Sequence, residues 1–175
     1  MSLMANLSEL KNTVLVQLFK HVPWLSAQWA RRHRFIEAED IPWAPVKKPM
    51  RETVIALVTT AGVHLKTQPP FDMDDPDGDP SYRVIPSEVT SEALVITHKY
   101  YDHSAADSDI NVVLPLNRLR ELKVEGRIGG MAPFVYSFMG HIDGPHLPTL
   151  VEETAPAVAR RLKRDGAQAV FLTPA

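Results

Sequence analysis

The stretch TVIALVTT, Thr53–Thr60, is short, β-branched and continuously apolar between its threonines. A half-exposed strand alternates apolar with polar residues. This one does not, and an unbroken apolar run is what a parallel sheet covered by helices on both faces requires. The run stops at Ala61-Gly62-Val63-His64. Working outward, Tyr82–Ile85, Ala93–Ile96, Phe134–Phe138 and Ala169–Leu172 supply further strands, with helical patterns between them. Leu116, Leu119 and Leu122 share one face of a helix over 116–125, with Pro115 ahead of it and Gly126 to stop it. Thr149 and Glu152 have the spacing of a capping box, and Leu150, Val151, Thr154, Val158 and Leu162 trace an apolar stripe that ends at Gly166. Pro156 inside that stripe predicts a kink or a delayed start. Arg160, Arg161, Lys163 and Arg164 crowd the last turns, where positive charge suits the helix dipole. The alternation predicts an α/β fold: a mainly parallel, doubly wound (Rossmann-like) sheet with helices on both faces.

Upstream, Leu7, Leu10, Val14, Leu18 and Val22 predict an amphipathic helix over 6–22, closed by Pro23. Trp24, Trp29 and Trp43 follow, beside Arg31, Arg32, His33 and Arg34. Basic residues next to aromatics suggest single-strand stacking; the plainer reading packs the tryptophans on a core and leaves the arginines in solvent. Pro42, Pro45 and Pro49 make an extended connector. The expected organisation is therefore a helical arm and proline-rich connector over 1–50 and an α/β domain over 51–175.

Composition narrows the function. The formal net charge of -2 offers no basic field for nucleic acid or an acidic membrane surface. No apolar run approaches the roughly 20 residues of a membrane helix, and the first residues lack the pattern of a secretory signal. Met1-Ser2-Leu3 ahead of Met4 reads as an added leader, and a cytoplasmic location is expected. There is no cysteine, so these residues hold no disulfide, thiolate metal site or thiol chemistry. The chain has no GxGxxG, GxxxxGK[ST] or GxSxG motif, which weakens nucleotide and serine-hydrolase readings. Asp72, Asp74, Asp75, Asp77 and Asp79 invite a calcium reading, but glycine falls seventh counted from Asp72, and Ile85 stands twelfth counted from Asp74. A solvated acidic loop is the simpler account.

In open α/β sheets ligands bind beyond the C-terminal ends of the strands. Those ends carry Thr60 to His64, Thr97-His98, Gly140-His141 and Thr173. Parallel strands would bring His64, His98 and His141 to one edge, for proton transfer or for a metal; their spacing demands no metal. The long polar stretch THKYYDHSAADSDINVVLP, 97–115, would form one wall of the pocket. Asp102 and His103 in it suit a hydrogen-bonding pair, while Asp107, Asp109 and Asn111 suit turns and caps.

Three blocks then carry a family likeness: ALVTTAGVHLKTQPPFD (56–72), the 97–115 stretch, and LNRLRELKVEGRIG (116–129). Together they resemble the selenoprotein B family of glycine, sarcosine and betaine reductases, with D-proline reductase as a relative. The matching positions are Thr60, Gly62, His98, Tyr101, Asp102, Asp109, Val113, Leu114, Pro115, Leu119, Glu121, Gly126, Ile128 and Gly129. The resemblance implies a reductase whose selenol or thiol attacks the carbon bearing an amine and passes its adduct to redox partner proteins. It places that nucleophile just past a strand like AVFLTPA, so beyond Ala175, and makes this a short member without it. His98 would bind or protonate the small-molecule substrate, Asp102 would orient an imidazole, and Tyr101 would donate a hydrogen bond. Thr60, Gly62, His64, Asp109, His141 and Thr173 would line the pocket, with no cofactor and no metal. The rivals are a non-redox small-molecule-binding protein or a histidine-dependent metal enzyme on the same scaffold. A third, an interaction subunit packing its tryptophan-rich arm on a partner or in a homo-oligomer, rests on residues 1–48.

Overall fold

Five of the six residues of β1, Val54–Thr59, are buried, as its unbroken apolar run requires. The computed structural model describes residues 44–175 and, before them, Val14, Leu18, His21, Val22, Trp24, Ala27, Gln28 and Arg31, all helical except Val22. The remainder of the helix expected over 6–22, and Trp29, Arg32, His33, Arg34 and Trp43, lie outside the described residues. The chain divides into two units, Met1–Pro45 and Val46–Ala175, and every element below belongs to the second.

β1 is the centre of the main sheet. On one side it pairs in parallel with β7, Ala169–Thr173, from Ile55↔Ala169 to Thr59↔Thr173. On the other side it pairs in parallel first with β5, Gly130–Met131, and then with β6, Phe134–Phe138. Ala132-Pro133 interrupts what is otherwise one strand; proline has no N–H to give the ladder. β3, Tyr82–Pro86, lies antiparallel on β6 and closes that edge. The architecture is mixed α/β with a mostly parallel sheet.

Side chains alternate across β1 and build a core on each face. Ile55 and Leu57 pack with Leu116 and Leu119 of α2, Leu116–Val124, and with Ile128 and Val135. Val58 joins Tyr136, Phe138 and Val158, the last from α3, Ala155–Arg164. A third, short helix, α1, Ser104–Ser108, interrupts the long polar stretch. β7 is the opposite edge; it leaves Val170, Phe171 and Leu172 exposed beside an apolar groove of about 580 Å³ that Leu119 and Leu122 help to line.

Two expectations are corrected. Leu94–Ile96 (β4) is not in the main sheet: it pairs antiparallel with β2, Val63–Leu65, in a separate ribbon. The chain leaving β1 continues through Gly62, whose carbonyl accepts the Thr97 N–H at 2.9 Å, so residues 63–65 form a strand where a loop was expected. Nor do Thr149 and Glu152 form a capping box. Pro148 is already helical, no side chain caps the start, and Thr149–Thr154 is a π-helical turn leading into α3. Pro156 lacks the N–H that a regular turn would use, and the wider turn ahead of it accommodates that loss.

Candidate functional site at the strand ends

The C-terminal ends of β1 and β7 are tied to the polar stretch through one carbonyl. The hydroxyls of Thr59 and Thr173 both donate to Val113 O, at 2.9 and 2.7 Å. Thr60 N–H donates to Thr173 O at 3.1 Å, and Ala175 N–H donates back to Thr60 Oγ1 at 3.2 Å. The threonines that read as strand stops are thus the pins of the edge. Thr173→Val should cost about 1 kcal/mol, the worth of one neutral hydrogen bond. Thr59→Val with Thr173→Val should cost more than the sum of the singles, because Val113 O then loses both hydroxyls; urea unfolding of the three variants measures the difference.

His98 arrives at this edge from the end of β4 and is 7% exposed. Its ring stands edge-on to Tyr101 at 4.7 Å between centroids, and to Tyr100 at 5.9 Å. The Tyr100 N–H donates to His98 Nδ1 at 3.1 Å, so in the neutral ring the proton sits on Nε2. Burial drives the pKa of His98 down from 6.5 to about 4, with His141 and His103 adding to the fall. Nε2 itself is buried and has no hydrogen-bond partner. The arrangement is a neutral N–H donor held without an acceptor. Tyr101 donates its hydroxyl to Ala61 O at 3.2 Å, and burial pushes its pKa up to about 12, so it stays a phenol.

The other expected site residues are spread around this centre. Gly62 makes the close approach to Thr97 that sets His98 in place. His64 is built into the ribbon: its Nδ1 donates to Leu65 O and its Nε2 accepts from Thr97 Oγ1, both at 2.8 Å. His141 stacks on Tyr100 at 4.1 Å and bonds Pro76 O at 2.8 Å, which ties the acidic loop to the end of β6. Asp102 accepts the Ser104 N–H at the start of α1; the group on His98 Nδ1 is the Tyr100 amide. His103 pairs instead with Asp107 at 2.8 Å. Asp109 accepts from Asn111 N–H and Nδ2, bonds that lower its pKa, and opens onto a different hollow of about 370 Å³. Among the described residues no three histidine, aspartate or glutamate side chains converge as a metal site. The acidic loop caps itself: Asp72 accepts from the Asp74 N–H at 2.8 Å, and Asp79 from the Asp72 N–H at 3.0 Å.

Residues 26–175 match the profile of the family described as glycine/sarcosine/betaine reductase selenoprotein B. The chain belongs to that family. The D-proline reductase subunit gamma of Acetoanaerobium sticklandii is 40% identical over 131 residues, covering 75% of this chain and 52% of that protein. The glycine reductase complex component B subunit gamma of Carboxydothermus hydrogenoformans is 31% identical over 138 residues, 76% of this chain and 30% of its own. The betaine reductase complex component B subunit beta of Peptoclostridium acidaminophilum is 32% identical over 143 residues, 74% and 29%. The chain thus spans about half the length of the first of these curated relatives and under a third of the other two. No solved structure matches it.

In this selenoprotein B family member, sequence reading missed two contributors. Gly140 lies against His98 Nε2, and the Tyr100 backbone fixes the imidazole tautomer. Only the first left a trace, as the glycine of Met139-Gly140-His141 at a strand end. Among the described residues no helix is long and apolar enough to cross a membrane.

Proposed function

We propose that this protein is the substrate-binding part of a reductase complex acting on small amino-acid-like molecules. The thiol or selenol nucleophile is supplied just beyond Ala175, and partner redox proteins receive the adduct. One observation carries the reading: a buried neutral imidazole presents an unpaired Nε2–H at the C-terminal edge of a mainly parallel sheet. Family membership and the relatives' names, D-proline, glycine and betaine reductase subunits, support it. We read the sheet as doubly wound and Rossmann-like, which makes this edge the ligand edge. His98 binds substrate as a donor, because its depressed pKa leaves no proton to give near neutrality. Tyr101 braces the ring, Thr60, Gly62 and Thr173 hold the edge, and His64, His141, Asp102 and Asp109 shape the surrounding wall.

The 175 residues contain no cysteine, and that favours the second reading, a non-redox ligand-binding protein. Alkylation decides between them. Iodoacetamide treatment of the complex isolated from its native source, followed by peptide mass spectrometry, should label a cysteine or selenocysteine in a peptide that extends this sequence past Ala175. A native complex whose strand-end polypeptide carries no alkylatable thiol or selenol would sink the reductase reading and leave simple binding.

A further inference from the structure

His98 Nε2–H is a donor by construction, since Nδ1 is occupied by the Tyr100 N–H. A buried donor without an acceptor costs about 1–3 kcal/mol, and native proteins rarely leave one without a use. Its surroundings indicate what it waits for. A Cβ placed on Gly140 would stand 3.1 Å from His98 Nε2, 2.8 Å from Thr60 O and 2.9 Å from Ala175 O. Gly140 itself is exposed, so one side-chain-free residue separates the donor from the surface. Around it, one N–H donor and two carbonyl acceptors lie side by side. A simple anion would meet His98 well and the two carbonyls badly. A molecule carrying a carboxylate next to N–H groups meets all three.

We propose that His98 Nε2–H donates to the carboxylate of a zwitterionic amino acid while the carbonyls of Thr60 and Ala175 accept from its ammonium N–H, so that this protein selects N–H-bearing amino acids over quaternary ammonium ones. The inference rests on the amino-acid reading above and adds the residues and the selectivity. A quaternary nitrogen has no hydrogen to offer the carbonyls, and its methyl groups keep the carboxylate away from Nε2.

The test titrates the full chain with glycine, sarcosine, D-proline and betaine by calorimetry, and follows the His98 ring in long-range ¹H–¹⁵N spectra. At least one N–H-bearing ligand should bind about ten-fold or more tightly than betaine. The Nε2–H signal should move on binding while Nδ1 stays unprotonated. Glycinamide, which lacks the carboxylate, should bind about ten-fold more weakly than glycine, a comparison that needs no variant. His98→Phe with an unchanged circular dichroism spectrum should weaken glycine similarly. Equal affinity for betaine, or amino-acid binding with a silent His98 ring, would overturn the inference and leave the amino-acid reading standing. Absence of binding by all four ligands would remove that reading and the inference with it.

Discussion

Gly62→Ala should destabilise the α/β unit by roughly 3–5 kcal/mol, a large part of an ordinary domain's stability. Two independent costs meet at this residue. Gly62 has φ +67°, a left-handed conformation that charges an L side chain about 1–2 kcal/mol. A Cβ there would also stand 2.4 Å from the carbonyl oxygen of Thr97 and 3.3 Å from His98 Cβ, and backbone cannot move aside as a flexible side chain would. Overpacking of that kind adds about 1–3 kcal/mol. Gly126 provides the control. Its φ is +66°, yet nothing lies within 4 Å of a Cβ built on it. Gly126→Ala should therefore show only the conformational cost, about 1 kcal/mol. Urea unfolding of both variants separates the terms. If the two losses were equal, the Thr97 contact would carry no energy, and Gly62 would have no part in positioning His98.

That contact also shows where sequence reading stopped. The central strand was legible because an apolar run flanked by threonines has few alternatives, and α2 because its leucines, Pro115 and Gly126 agree. Membership of the selenoprotein B family was legible as well, from residues clustered in three blocks. The β2–β4 ribbon was not. Three residues, Val63-His64-Leu65, with a histidine in the middle, carry no periodicity of their own. Their pairing with Leu94–Ile96 comes from tertiary geometry beyond the end of β1. The convergence of polar residues at strand ends was visible for Thr60, His98 and Thr173. It overreached for His64, whose two ring nitrogens are both occupied inside the ribbon. The state of His98 lay beyond sequence altogether, because a backbone amide two residues away sets it.

The second large effect is acid destabilisation, and His98 sets its window. The imidazole titrates near 6.5 in the unfolded chain and near 4 in the folded one. Burial is the main cause, since a charged ring loses its water with no carboxylate placed to compensate; a protonated Nδ1 would also forfeit the Tyr100 N–H bond. Between those values the unfolded chain binds the extra proton, so stability rises with pH across the window. The contribution is complete above about 6.5, drains away as pH falls toward 4, and is flat below that. Its full size is roughly 3 kcal/mol. Several carboxylates whose pKa is lowered, Asp79 among them, act in the opposite order on the scale: their stabilisation starts to fade only as pH nears the ordinary carboxylate value of 3.8 and below. The interval from about pH 6.5 to 4.5 therefore isolates the imidazole. Free energies of unfolding measured at half-unit steps should slope upward through that interval in the wild type and run nearly level in His98→Gln, whose amide does not titrate. The comparison concerns slopes, so a constant loss of stability in the variant does not disturb it. A slope that survives the substitution would place the proton uptake elsewhere and would mean that His98 is free to charge when the protein is folded. The donor that the site holds toward Gly140 would then be an imidazolium in acid, and its fixed, neutral character would not stand.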